Sequence, residues 1–184
     1  SPGRLSVTIH NSTIKCKPSL FIAVCDCSGS MSGAPWKQVE CALQYINAMR
    51  QHNSAFKFVI VRYASYSDII STVGVSETSK RIKDMYSSGG TNFSAAYAKI
   101  REVLCNYSTV DGDPNAIGAA HVVFMTDGQD NGEQSKPHHL KKLLQDCWTS
   151  YNREITVHAV GFGQGCIRDM LEEITISGSS QGLF

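Results

Sequence analysis

Apolar residues along the chain fall into two kinds of run. Leu20 to Cys25 is continuously apolar and stops at Asp26 and the glycines that follow, the pattern of a central strand buried on both faces. Trp36, Val39, Leu43, Ile46 and Met49 then recur at three- and four-residue steps, which predicts an amphipathic helix with Pro35 in its tolerant first turn. Phe56 to Ala64, rich in aromatic and β-branched residues, and Asp68 to Val73 predict two strands. So short a link forces them antiparallel. A short helix over Glu77 to Met85 and the loop Ser87-Ser-Gly-Gly-Thr91-Asn92 lead into a helix with Phe93, Ala96, Tyr97, Ile100 and Leu104 on one face. His121 to Thr126 reads as another buried strand, ending in Asp127-Gly128. Pro137 to about Tyr151 predicts a helix with Leu140, Leu143, Leu144 and Cys147 inward and Lys141, Lys142 and Asp146 outward. A strand over Glu154 to Phe162, a helix over Ile167 to Ile174 and the start of a last strand at Gly182-Leu-Phe184 complete the pattern.

Strands alternating with helices that cover both faces predict an α/β fold. It is an open, doubly wound, mostly parallel sheet of Rossmann-like type, with one antiparallel edge strand near Ile70. In such sheets ligands bind beyond the carboxyl ends of the strands, where the chain order reverses. A length of 184 residues with 42% hydrophobic residues fits one domain, with its core from about residue 19 to 184. The polar stretch from Ser108 to Gly118 reads as a surface loop. The start, Ser1-Pro2-Gly3-Arg4, has neither Met nor an apolar signal segment, so a domain excised from a larger protein is expected. No apolar run approaches the roughly 18–20 residues of a membrane span.

Charge and cysteines narrow the partners. Lys plus Arg is 17 and Asp plus Glu is 16, so no global field draws the chain onto nucleic acid or anionic lipid. The seven cysteines lack CxxC spacing and are too few for a disulfide scaffold, so most read as reduced, buried apolar residues. Cys27 is expected to be partly exposed. Asn-x-Ser/Thr triplets at Asn11, Asn92 and Asn106 point toward secretion. A glycan on Asn92 would block the adjacent Thr91, however, and with the unpaired cysteines this favours a cytoplasmic parent over a secreted one.

The candidate chemistry lies where the first strand ends. Asp26-Cys-Ser28-Gly-Ser30 offers a carboxylate and two hydroxyls at i, i+2 and i+4, with Gly29 free to turn them toward one point. Hard oxygens with few charges suit Mg²⁺, which demands near-octahedral geometry and keeps several waters. Asp127 leaves the other buried strand at the equivalent edge, and Thr91 sits in the Gly-Gly loop between them in sequence.

Asp26-Cys-Ser28-Gly-Ser30-Met, Gly90-Thr91-Asn92 and Thr126-Asp127-Gly128 together resemble a von Willebrand factor type A domain with its metal-ion-dependent adhesion site. The likeness runs from about Ser19 to Phe184 and includes the Val160-Gly-Phe-Gly163 turn. The resemblance implies that Ser28 and Ser30 bind the metal directly, that Thr91 does so in the ligand-competent state, and that Asp26 and Asp127 act mainly through water or switch to direct contact when no partner is bound. It implies Mg²⁺, with Mn²⁺ or Ca²⁺ as alternatives, and a partner protein whose Asp or Glu fills the remaining coordination position. The expected function is therefore a metal-dependent protein-interaction module, monomeric and not an enzyme. The alternative is a structural or regulatory domain of a larger intracellular assembly, of ubiquitination or chelatase-like type.

Other constellations fit less well. Gly29-Ser-Met-Ser-Gly33 places Met31 where a hydrolase nucleophile belongs, and His121 and His158 read as near-core histidines. Metal-assisted hydrolysis at Asp26 and Asp127 lacks an accompanying base. Cys25 and Cys27 could pair in redox or metal chemistry, but burial is the plainer account. His138 and His139, adjacent on a helix, point about 100° apart and do not easily share one ion. Gly161-Phe-Gly163-Gln-Gly165 has Cys166 at the offset where a dinucleotide loop carries its third glycine, and reads as a tight turn. Lys136, Lys141 and Lys142 form a solvated face.

Overall fold

The computed structural model describes residues 17–52, 56–70, 72, 74–107, 116–128, 130, 133–151, 153–163 and 166–184. The segment 108–115, most of the expected surface loop, and the sequon at Asn11 lie outside these residues. Among the described residues five strands form one sheet: β1 (Ser19–Asp26), β2 (Phe56–Tyr63), β3 (Ser67–Ile70), β4 (Ala119–Thr126) and β5 (Glu154–Gly161). Their order is β3-β2-β1-β4-β5. All pairs are parallel except β2 with β3, so the antiparallel strand does occupy an edge.

Strand alternation divides the core in two. Leu20, Ile22 and Val24 of β1 share a face with Val61, Tyr63, Val122 and Phe124. This face lies under α3 (Phe93–Cys105), α4 (Pro137–Tyr151) and α5 (Arg168–Thr175). Ala23 and Cys25 point the other way, with Phe58, Ile60 and Met125, toward α1 (Ala34–Met49) and α2 (Val75–Lys83). Because β1 is covered on both sides, its apolar run is uninterrupted. Tyr63, Phe93, Tyr97 and Phe124 cluster near the carboxyl ends of the strands. Phe124 stacks on Tyr63 at 5.4 Å between ring centroids and meets Phe93 edge-on at 5.1 Å, arrangements that aromatic quadrupoles favour.

Three expectations are corrected. Met49 is 49% exposed, whereas Asn47 is 1% exposed and donates from Nδ2 to the Val75 carbonyl at 2.8 Å. At about 100° per residue, position 47 stays nearer the stripe of Val39 and Leu43 than position 49 does. Strand β3 begins at Ser67 and ends at Ile70, while 71 and 73, in the remainder of the expected strand, fall outside the described residues. The C-terminal segment forms no strand. It makes a parallel bridge, Ser180 with Thr156, and is held by hydrogen bonds outside any ladder: Gly182 N–H donates to the Thr175 carbonyl at 3.0 Å, Ala159 N–H to the Leu183 carbonyl at 3.0 Å, and Leu183 N–H to His158 Nδ1 at 3.1 Å. A Cβ on Gly182 would lie 1.7 Å from the Val157 carbonyl oxygen, so only glycine lets this backbone pass so close to β5. Among the described residues no helix is long and apolar enough to cross a membrane.

Candidate metal centre

The centre begins at the last residue of β1. Cys27 N–H donates to the Tyr63 carbonyl at 2.7 Å, extending the pairing with β2 by one residue. Ser28 N–H then turns back to Asp26 Oδ1 at 2.8 Å, an Asx turn. The other carboxylate oxygen, Oδ2, accepts from the Thr126 hydroxyl at 2.6 Å. Asp26 is 0% exposed, and among the described residues no ion pair reaches it. Burial pushes its carboxyl above the usual range, and the Asp127 charge adds to this. The bonds from Thr126 and Ser28 pull the other way. A buried anion held only by neutral donors is a centre that a cation would stabilise.

A single 3₁₀ turn over Gly29–Met31 sets the Ser28 and Ser30 hydroxyls 3.0 Å apart. Ser30 Oγ donates onward to Asp127 Oδ1 at 2.9 Å, joining the β1 loop to the end of β4. The loop before α3 is sewn to the same turn: Gly29 N–H donates to the Gly89 carbonyl at 3.0 Å and Ser88 N–H to the Cys27 carbonyl at 2.7 Å. Asn92 caps α3, accepting from Ala95 N–H at 3.0 Å, and donates to the Ser65 carbonyl at 3.2 Å. Thr91 is held between these anchors. A Cβ on Gly128 would sit 3.4 Å from Thr91 Oγ1 and 3.8 Å from Asp26 Oδ2, so the Thr91 hydroxyl and the Asp26 carboxylate approach one point that glycine leaves open.

Asp26, Ser28, Ser30 and Asp127 are thus joined by hydrogen bonds, and Thr91 is brought beside Asp26. Among the described residues no three His, Cys, Asp or Glu side chains gather to hold a metal; this set has two carboxylates and three hydroxyls. Its chemistry fits a hard cation. The 3.0 and 2.9 Å separations are hydrogen-bond contacts, and they are also close to the ~3.0 Å edge of an octahedron with ligands at roughly 2.1 Å.

Two participants are not read from the sequence. Thr126 orients Asp26 from the neighbouring strand, and its only sequence signal is a threonine ahead of Asp-Gly. Asp130 Oδ2 accepts from Phe93 N–H at 2.6 Å and from Ser135 Oγ at 2.5 Å, placing an anion at the start of α3, where the helix dipole favours it.

Cys27 corrects its expectation: it is 2% exposed, because the loop folds it into the layer with Met31 and Cys25. Burial pushes its thiol up to about 12, so it stays protonated. His121 and His158 are half-buried on adjacent strands with rings 6.1 Å apart. His138 and His139 lie closer than successive helix positions suggest, at 4.1 Å between ring centroids.

Residues 21–184 match the family model of the von Willebrand factor type A domain. No curated protein matches the chain. Among solved structures, the chain is similar to a von Willebrand factor type A protein from Catenulispora acidiphila, with 17% identity and a TM-score of 0.66. That match covers 92% of this chain and 39% of the other. Proximal thread matrix protein 1 from the mussel byssus, with a zinc-occupied MIDAS motif, is 16% identical at a TM-score of 0.62, covering 91% and 41%. BatB from Bacteroides thetaiotaomicron is 15% identical at 0.59, covering 90% and 89%. The chain therefore spans about two fifths of the first two relatives and nearly the whole of the third. At these identities the likeness shows a shared fold, while the family model accounts for nearly the entire sequence: the chain belongs to the von Willebrand factor type A domain family.

Proposed function

We propose that this domain is a metal-dependent protein-interaction module, in which Asp26, Ser28, Ser30, Thr91 and Asp127 hold Mg²⁺ and a partner protein contributes an Asp or Glu. The observation that carries this reading is the hydrogen-bonded run Ser28–Ser30–Asp127 beside the buried carboxylate of Asp26. Domains of this family commonly serve in metal-dependent interaction, and the mussel relative carries zinc in its motif. When bound, the ion supplies two positive charges and a coordination position for an incoming carboxylate. The chain's own residues divide the remaining work. Ser28, Ser30 and Thr91 present neutral oxygens, so the cation's charge is left partly unbalanced for the partner's acid. Asp26 and Asp127 provide the negative charge that retains the ion, and Thr126 and the Ser28 N–H fix the Asp26 carboxylate. The role is binding, not catalysis.

A second reading rests on the full burial of Asp26 and its tie to β4: the metal is structural, within a larger intracellular assembly. Calorimetric titration of the metal-free domain with Mg²⁺, Mn²⁺, Ca²⁺ and Zn²⁺, followed by affinity capture with and without EDTA, separates the two. The interaction reading expects EDTA to abolish capture of an acidic-motif partner while circular dichroism stays folded. Loss of fold on chelation supports the structural reading. Absence of any metal binding overturns both.

A further inference from the structure

Two exposed tyrosines stand on the β2 side of the metal centre. Tyr66, in the turn between β2 and β3, is 71% exposed, and Tyr86, in the loop after α2, is 67% exposed. Covering such rings gains free energy for a partner, and Tyr is enriched where interfaces concentrate their binding energy. Both line a slot of about 90 Å³, together with Cys27, Arg62, Ser88 and Gly89.

The slot adjoins the metal centre through shared backbone. Cys27 stands between Asp26 and Ser28, its carbonyl accepts the Ser88 N–H at 2.7 Å, and the Gly89 carbonyl accepts the Gly29 N–H at 3.0 Å. Ala64 N–H closes the Tyr66 turn by donating to the Tyr66 carbonyl at 2.8 Å. Gly90 N–H donates to Ser65 Oγ at 3.0 Å, tying that turn to the loop that carries Thr91. The slot is thus held in place by the bonds that build the centre.

Size and charge narrow the occupant. Arg62 directs Nε and Nη2 to the Asp68 carboxylate at 2.7 and 2.8 Å, so this basic group is already balanced and the slot calls for no second acid. A volume of about 90 Å³ is less than the roughly 150 Å³ cavity that takes a benzene ring and more than the ~30 Å³ share of one liquid water. A branched aliphatic side chain is compact and uncharged, and it packs on phenol ring faces. An extended peptide advances about 3.3 Å per residue, so a side chain entering the slot stands close in sequence to an acid held at the metal.

We propose that Tyr66 and Tyr86 form a subsite for a Leu, Ile or Val side chain of the partner protein, within two residues of the Asp or Glu that completes the metal centre. The inference rests on the metal-dependent interaction reading above and adds a choice among acidic partners. A carboxylate alone does not discriminate, because surface Asp and Glu are common to most proteins.

The test screens the full chain against immobilised acetylated pentapeptides with a central Asp and all other positions random, in Mg²⁺ and in EDTA. Retention in Mg²⁺ alone, with Leu, Ile or Val enriched at a fixed offset from the Asp, is expected. The double variant Tyr66→Ala, Tyr86→Ala should lose that enrichment and bind the best aliphatic peptide about tenfold or more weakly. Its urea midpoint and its Mg²⁺ affinity in calorimetric titration should stay unchanged, because both side chains are largely exposed. Tyr66→Phe, Tyr86→Phe keeps the ring faces and should keep the enrichment. Mg²⁺-dependent retention without an aliphatic preference overturns the subsite alone, as does a preference that survives the alanine changes or is lost with phenylalanine. If Mg²⁺ retains no peptide at all, the interaction reading itself fails and the subsite falls with it.

Discussion

Asp26 has two carboxylate oxygens, and each is already assigned: Oδ1 to the Ser28 N–H and Oδ2 to the Thr126 hydroxyl. Its orientation is therefore set by the Ser28 backbone and by Thr126, a residue outside the proposed ligand set. Replacing Thr126 with Val keeps the shape of the side chain and removes the donor. Outer-shell losses of this kind typically cost 10–100-fold in metal affinity, so Thr126→Val should weaken Mg²⁺ binding by about 10–100-fold in calorimetric titration while the domain stays folded. Asp26→Ala removes the anion itself. In the unaltered domain, metal at a hundredfold its dissociation constant adds about 2.7 kcal/mol of stability; Asp26→Ala should abolish the corresponding rise in Tm. A metal-induced rise that survives this change would remove Asp26 from the centre. The two residues differ in how visible they are along the chain. Asp26, Ser28 and Ser30 stand within five positions of one another and announce themselves. Thr126 lies 100 positions from Asp26 and acquires its role only because β1 and β4 are neighbours.

At the scale of elements, strands covered on both faces and helices with a wide apolar stripe were legible, because burial writes its period into the sequence. Strands β1 and β4 and helices α3 and α4 are of this kind. The C-terminal segment was misread because its course depends on contacts rather than on pattern: Gly178 and Gly182 pass where a Cβ would strike the carbonyls of Ile155 and Val157. Gly182→Ala should consequently displace the segment and lower the urea midpoint, and an unchanged midpoint would show that the close approach contributes nothing. The same segment has a pH dependence. His158 Nδ1 accepts the Leu183 N–H, which requires an unprotonated nitrogen, and burial together with His121 holds His158 below the ordinary histidine range. As pH falls, the unfolded chain takes up this proton first, near 6.5. Stability from this group is thus intact above that value and is lost as pH falls toward the lower folded one. Urea melts at successive pH values should show the decline, and His158→Gln should flatten it.

At the scale of the molecule, the near balance of charge and the aromatic cluster beneath the site have separate consequences. A net charge of +1 gives no long-range field, so capture of an acidic partner should depend strongly on the divalent metal and only weakly on added NaCl. Steep salt dependence would point instead to a charged surface as the recruiting element. Phe124 is fully buried against Tyr63 and Phe93, and Phe124→Ala should cost about 3–5 kcal/mol in denaturant unfolding. The strand order has a further consequence, for synthesis. β1 lies between β2 and β4, so the segment that arrives first is enclosed only after residues 119–126 have emerged. A nascent chain ending before β4 carries Asp26, Ser28, Ser30 and Thr91 but neither Thr126 nor Asp127. Long-range pairing of this sort is paid for before it is rewarded, and it folds slowly. An ion that requires the complete set would bind only a finished domain, so metal in the surrounding medium would favour completed chains over partly made ones.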